Sequence, residues 1–166
     1  MSYRNKVYIA FDGDHDMNFY RMFEAWNKNP NFDFVFHNAH DLNTARDSSE
    51  EASIKKELRI RFANSKLFIL LIGEHTKYLT KFVKWEIETA IKLKLPIIAI
   101  NLNGSKHNDN LEPVTLKNQL AVFIPYREKI IKYAMDNWPE EDKAHRKNNE
   151  FGNYYYKDSV YTNLSL

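Results

Sequence analysis

Cysteine is absent from the 166 residues, so neither a disulfide framework nor a thiolate metal site can be built, and a reducing compartment is compatible. Glycine occurs only four times and forms no P-loop or G-x-G-x-x-G element, which removes the usual glycine-rich phosphate cradle. An excess of one charge is also lacking: 24 Lys and Arg stand against 22 Asp and Glu, a net +2. That field is too weak to predict binding to nucleic acid or membrane, and neither is expected as a partner. No apolar run approaches the roughly 20 residues that span a bilayer, and residues 1–6 carry no signal-peptide pattern. A cytoplasmic protein is the expectation.

What is present is a repeated alternation of short apolar runs and amphipathic segments. Residues 7–11 read as a strand ending in the turn chemistry of Asp12-Gly13-Asp14. Asp16 or Asn18 then suits a helix cap, and Phe19, Met22, Phe23 and Trp26 recur at helical spacing until Pro30. A second strand is expected at 32–36, followed by a polar, aperiodic loop at 37–47 of the kind that often carries function. Ser48 or Ser49, with Glu50 and Glu51 in the first turn, opens a helix whose Ile54, Leu58 and Phe62 lie four apart.

Residues 67–72 are apolar without alternation, as expected of a central parallel strand buried on both faces. Residues 76–93 read as one helix, 95–100 as another buried strand, and 120–124 as a fifth. Helix is expected over 126–138, with Pro139 ending it or beginning another short one. The aromatic tail at 153–161 should pack on something but shows no regular period. The pattern implies right-handed βαβ crossovers and an α/β, doubly wound, mainly parallel five-stranded sheet with helices on both faces. One domain over 1–166 is expected, its core at about 6–125 and a helical, aromatic extension at about 126–166.

Open α/β sheets bind ligands in the crevice beyond the carboxyl ends of their strands. Glu86 lies just downstream of the 67–72 run, with Phe82 one helical turn earlier and Trp85 beside it, so an acid and an aromatic wall are presented together. Such a pair suits a sugar or a nucleotide. Glu88, two residues on, points elsewhere and serves as an internal control. His37 and His40, with Asp41 nearby, offer metal-binding atoms, but no third ligand stands at a recognisable spacing, so no metal is expected. Asp14 and Asp16 read first as turn and cap residues.

The order of the strand at 7–11, the loop at 37–47, the helix at 49–64, the strand at 67–72 and the acid-bearing helix resembles the TIR domain, specifically the TIR-like branch found in bacterial Thoeris antiphage systems. The segment Phe82-Val83-Lys84-Trp85-Glu86-Ile87, followed by the strand that starts at Leu95-Pro96, carries most of that resemblance. It implies cleavage of NAD and production of a cyclic ADP-ribose-type signal that activates a partner effector, with NAD as substrate, no resident cofactor, and a homo-oligomer as one arrangement that completes the pocket. Glu86 matches the family's catalytic glutamate. Phe82 stands where the family commonly has tryptophan, keeping a flat apolar surface but losing the indole donor. Phe11 and Asp12 at the end of the first strand, and His40 and Asp41 in the loop at 37–47, match the nucleotide pocket by location.

Three other readings compete. A non-catalytic TIR-type interaction module fits the same fold. A nucleoside deoxyribosyltransferase-like enzyme also sets a glutamate in an α/β crevice to attack a C–N glycosidic bond. A phosphoacceptor receiver domain shares the parallel architecture, but the third strand ends Ile72-Gly73-Glu74 without the required aspartate.

Overall fold

The computed structural model describes residues 6–30 and 51–166, together with the backbone of 35–37. In chain order the elements are β1 Lys6–Ala10, α1 Met17–Asn27, β2 Val35–His37, α2 Glu51–Ala63 and β3 Leu67–Ile72. A 3₁₀ turn at Thr76–Tyr78 leads into α3 Val83–Lys92, β4 Ile97–Asn101, a second 3₁₀ turn Val114–Leu116 and β5 Ala121–Pro125. The chain closes with α4 Glu128–Lys147, β6 Asn153–Tyr155 and α5 Asp158–Asn163. The strands form one sheet in the order β2-β1-β3-β4-β5-β6, and every neighbouring pair is parallel. Most of the loop expected at 37–47, and the cap expected at Ser48 or Ser49, lie outside the described residues.

Side-chain alternation along the strands divides the interior into two layers. On one face Val7, Ile9, Ile69, Ile98 and Val122 pack with Tyr20 and Phe23 of α1 and with Ile131, Met135 and Trp138 of α4. On the other, Tyr8, Phe68, Leu70 and Phe123 meet Leu58 and Phe62 of α2 and Val83 and Ile87 of α3. Every residue of β3 is buried, which is why its sequence shows no alternation: both faces are covered. Each such Leu, Ile or Phe taken from water contributes roughly 1.5–3 kcal/mol, so the middle of the sheet is the most firmly held part of the fold. The doubly wound α/β architecture expected from the sequence is therefore present, and the five expected strands are all parallel.

Three details add to or depart from that expectation. A sixth strand, β6, forms from the aromatic tail and pairs with β5, Tyr154 lying opposite Val122. Its signal was hidden because only three residues pair and their burial is partial. The helix expected over 76–93 is broken: residues 76–78 form a 3₁₀ turn and α3 begins at Val83. Thr76 explains the break, since its Oγ1 accepts the Gly73 N–H at 2.9 Å and ties the turn back to the end of β3.

The helix expected to stop near Pro139 continues to Lys147, with the proline inside it. An interior proline costs about 3 kcal/mol through the missing N–H and the clash with the preceding turn. Ile131, Met135, Trp138 and Asp142 lie along one face, all buried, and their packing carries the helix through. Among the described residues, no helix is long and apolar enough to cross a membrane.

Candidate functional site

The chain leaves β1 toward β2 on one side and reaches β3 on the other, so the strand order reverses between β1 and β3. Ligands of open α/β sheets bind at such a switch point, beyond the strand carboxyl ends. Directly there, β1 runs into a compact polar turn. The Asp16 N–H donates to the Asp12 carbonyl at 2.9 Å, and the Asp14 N–H donates to Asp12 Oδ1 at 3.0 Å. Asp12 is buried, and its other oxygen, Oδ2, lies 2.7 Å from His15 Nδ1. This hydrogen bond to a carboxylate raises the His15 pKa above its ordinary value, with the Asp12 charge adding to the effect.

The end of β3 closes on the same turn. The His15 ring stacks on His75, centroids 3.9 Å apart. Asp16, at the N-cap position of α1, makes no side-chain capping bond. Instead its carboxylate sits against Gly73, where an added Cβ would fall 2.2 Å from Oδ2. Only glycine permits that approach. Asp16 is 7% exposed, and burial, followed by repulsion from Asp12, raises its pKa. One carboxylate oxygen from Asp12 and one ring nitrogen from each of His15 and His75 lie within 4.8 Å of one another.

Glu86, the acid singled out from the sequence, lies on α3. Phe82 occupies the N-cap position, and the Glu86 N–H donates to its carbonyl at 2.8 Å, which keeps the two residues one helical turn apart as the spacing suggested. Glu86 is 1% exposed and sits in the first turn of α3, where the helix dipole favours negative charge. Glu88, by contrast, has a side chain 52% exposed, with an oxygen 3.9 Å from Lys84 Nζ. Two glutamates on one helix thus meet opposite environments because only one lies on the buried face.

The other residues singled out from the sequence are dispersed. Phe82 is buried among the residues of the α2 and α3 layer, with Lys81 Nζ 5.4 Å from its ring centroid. Trp85 turns toward α2: it meets Phe62 edge-on at 6.0 Å, and Lys55 and Arg59 lie 5.6 and 5.5 Å from its ring centroid. Phe11 stacks on Tyr20 at 4.6 Å inside the opposite layer. Asp12 lies buried in the turn after β1, whereas His40 and Asp41 lie outside the described residues. Sequence reasoning passed over His15, Asp16, Gly73 and His75 as a group. The only local signal was the density of acids around His15, since His75 is brought in by the β1 and β3 pairing.

A cleft of about 480 Å³ lies at the opposite, amino ends of β3 and β4, lined by Lys66, Lys94, Leu95, Asp142, Lys143 and Arg146 among others. It is roomier than it is chemically apt: its Asp142 and Arg146 already satisfy each other at 2.7 Å. The strand carboxyl ends, with their buried acids, are the better candidate site.

Residues 8–107 match the family model described as Thoeris protein ThsB, TIR-like domain. The chain belongs to this family. The match spans more than half of the sequence and includes the Asp12–Asp16 turn, Gly73 to His75 and Glu86. Membership in the ThsB TIR-like family gives the protein a TIR-type role in antiphage defence. In this ThsB-like chain the matched segment ends in the loop after β4, and β5, α4, β6 and α5 follow it.

Proposed function

We propose that this ThsB-like protein cleaves the nicotinamide–ribose bond of NAD and makes a cyclic ADP-ribose-type signal that activates a partner effector in antiphage defence. The observation that carries this reading is the burial of Glu86 in the first turn of the helix after β3 while Glu88 stays in solvent. A buried carboxylate near the strand carboxyl ends is the group such chemistry requires.

In the reaction the bond between the ribose anomeric carbon and the pyridinium nitrogen breaks. Its electron pair passes to nicotinamide, which leaves neutral from a cationic ring and needs no proton. Ordinary glycoside hydrolysis needs two carboxylates because the leaving oxygen must be protonated; here one suffices. Glu86 holds the ribose hydroxyls and stabilises the positive charge that develops on the sugar. Water or a ribose hydroxyl then bonds to the anomeric carbon and releases its proton to solvent, or a ring nitrogen of the adenine bonds there through its lone pair. Asp12, buried at the end of β1, contributes a second acid.

The test is mass spectrometry of the products formed from NAD, with and without phage-infected lysate. Glu86→Gln should lower turnover by ~100-fold or more, as removal of one electrostatic stabiliser does, with an unchanged circular dichroism spectrum. Glu88→Gln should match the wild type. Equal activity of the wild type and Glu86→Gln removes Glu86 from the mechanism. Release of free base only from deoxynucleosides favours the transferase reading.

A further inference from the structure

We propose that Asp12, His15 and His75 bind a divalent first-row transition ion, of which zinc is the model, at the crevice between β1 and β3, with Asp16 beside it as a further charge. The inference is independent of NAD chemistry, because it concerns the donor set alone.

The donors are of the right kind. Two imidazoles and a carboxylate suit zinc, nickel or cobalt, whereas magnesium and calcium favour sites built from oxygen alone. The geometry is close to what an ion demands. With bonds of about 2.0–2.1 Å, two donors on one ion stand roughly 2.9–3.4 Å apart, depending on whether they subtend a right or a tetrahedral angle. His15 Nδ1 and Asp12 Oδ2, 2.7 Å apart, stand slightly closer than this and need a small turn of the exposed His15 ring to admit an ion, and all three donors fall within 4.8 Å of one another. Both histidines are exposed, so small ring rotations close the remaining distance without disturbing the core. Asp12 does not need to move, since the Asp14 N–H holds its Oδ1 and leaves Oδ2 directed at His15.

A second, separate observation points the same way. Asp16 Oδ2 is buried without a hydrogen-bond partner, beside a Gly73 that leaves no room for a Cβ. A buried, unpartnered carboxylate oxygen is costly, and a second buried acid, Asp12, stands four residues earlier in the same turn. A dication between the imidazoles offsets both charges. Three protein donors leave further coordination positions open, so the ion would accept a water or an anionic oxygen from a ligand entering the crevice.

The experiment uses the whole chain, stripped with a chelator and titrated with Zn²⁺ and Ni²⁺ in competition with a chromophoric indicator. One saturable ion per chain is expected, with a rise in melting temperature on addition of Zn²⁺. His15→Ala and His75→Ala, both at exposed positions, should fold normally and each weaken binding by ~10-fold or more. His145→Ala should leave it unchanged, since His145 lies on α4 next to Glu150. Absence of saturable binding, wild-type affinity in both His15→Ala and His75→Ala, or loss of binding in His145→Ala each overturns the assignment.

Discussion

Among single residues, the buried acids show how environment alters chemistry. Asp142 is held by Arg146, Nε to Oδ1 at 2.7 Å, yet burial outweighs this pairing and raises its pKa. The native chain therefore binds more protons than the unfolded one between the ordinary and the raised value. The stability that Asp142 contributes is fully present below the ordinary carboxylate range and is lost as pH rises through the raised value. Asp142→Asn, which does not titrate, should gain stability relative to the wild type as pH rises from about 3 to about 7. Urea unfolding at a series of pH values checks this; a difference that stays constant, or grows the other way, would contradict it. The same scale explains what was legible at Glu86. Helical spacing set Glu86 and Glu88 on different faces, while the burial of Glu86 came only with the packing of the helix.

Whole elements show where local rules yield to packing. Pro139 reads as a helix terminator, but α4 passes through it because Ile131, Met135, Trp138 and Asp142 anchor the helix on both sides. Restoring the missing N–H with Pro139→Ala should stabilise the protein by ~1–2 kcal/mol, somewhat less than the intrinsic proline cost because the unfolded chain also gains freedom. Chemical denaturation measures the change, and a destabilised variant would show that the proline fits α4 better than its chemistry suggests. The opposite failure occurs before α3. Residues 76–93 have continuous helical periodicity, but the Thr76 hydroxyl takes the Gly73 N–H, and the chain turns before Val83 starts the helix. A side chain that competes for backbone groups decides such breaks, and periodicity does not register them.

At the largest scale, the buried acids and histidines gather inside the sheet, at the switch point between β1 and β3, while β6 and α5 close the β5 edge. Tyr161 of α5 is buried, and Lys106 Nζ lies 4.4 Å from its ring centroid. Tyr154, Tyr156, Val160 and Leu164 pack against the same core layer. Removing residues 150–166 should cost ~3 kcal/mol or more, as loss of a buried aromatic does, and lower the melting temperature by roughly 10 °C. It also bares the β5 edge, so light scattering should report association. A truncated chain that melts with the full one and stays monodisperse would show that these contacts add little.

Local periodicity and apolar content were enough to specify the layered α/β class and the fully buried third strand. Folding in three dimensions was needed to set His15 on His75, to press Asp16 against Gly73, to turn Trp85 toward α2 and to make a strand of three tail residues. Most of those contacts join segments far apart in the chain. Strand pairing and register bring them together, and no local pattern encodes which distant residues will share a crevice.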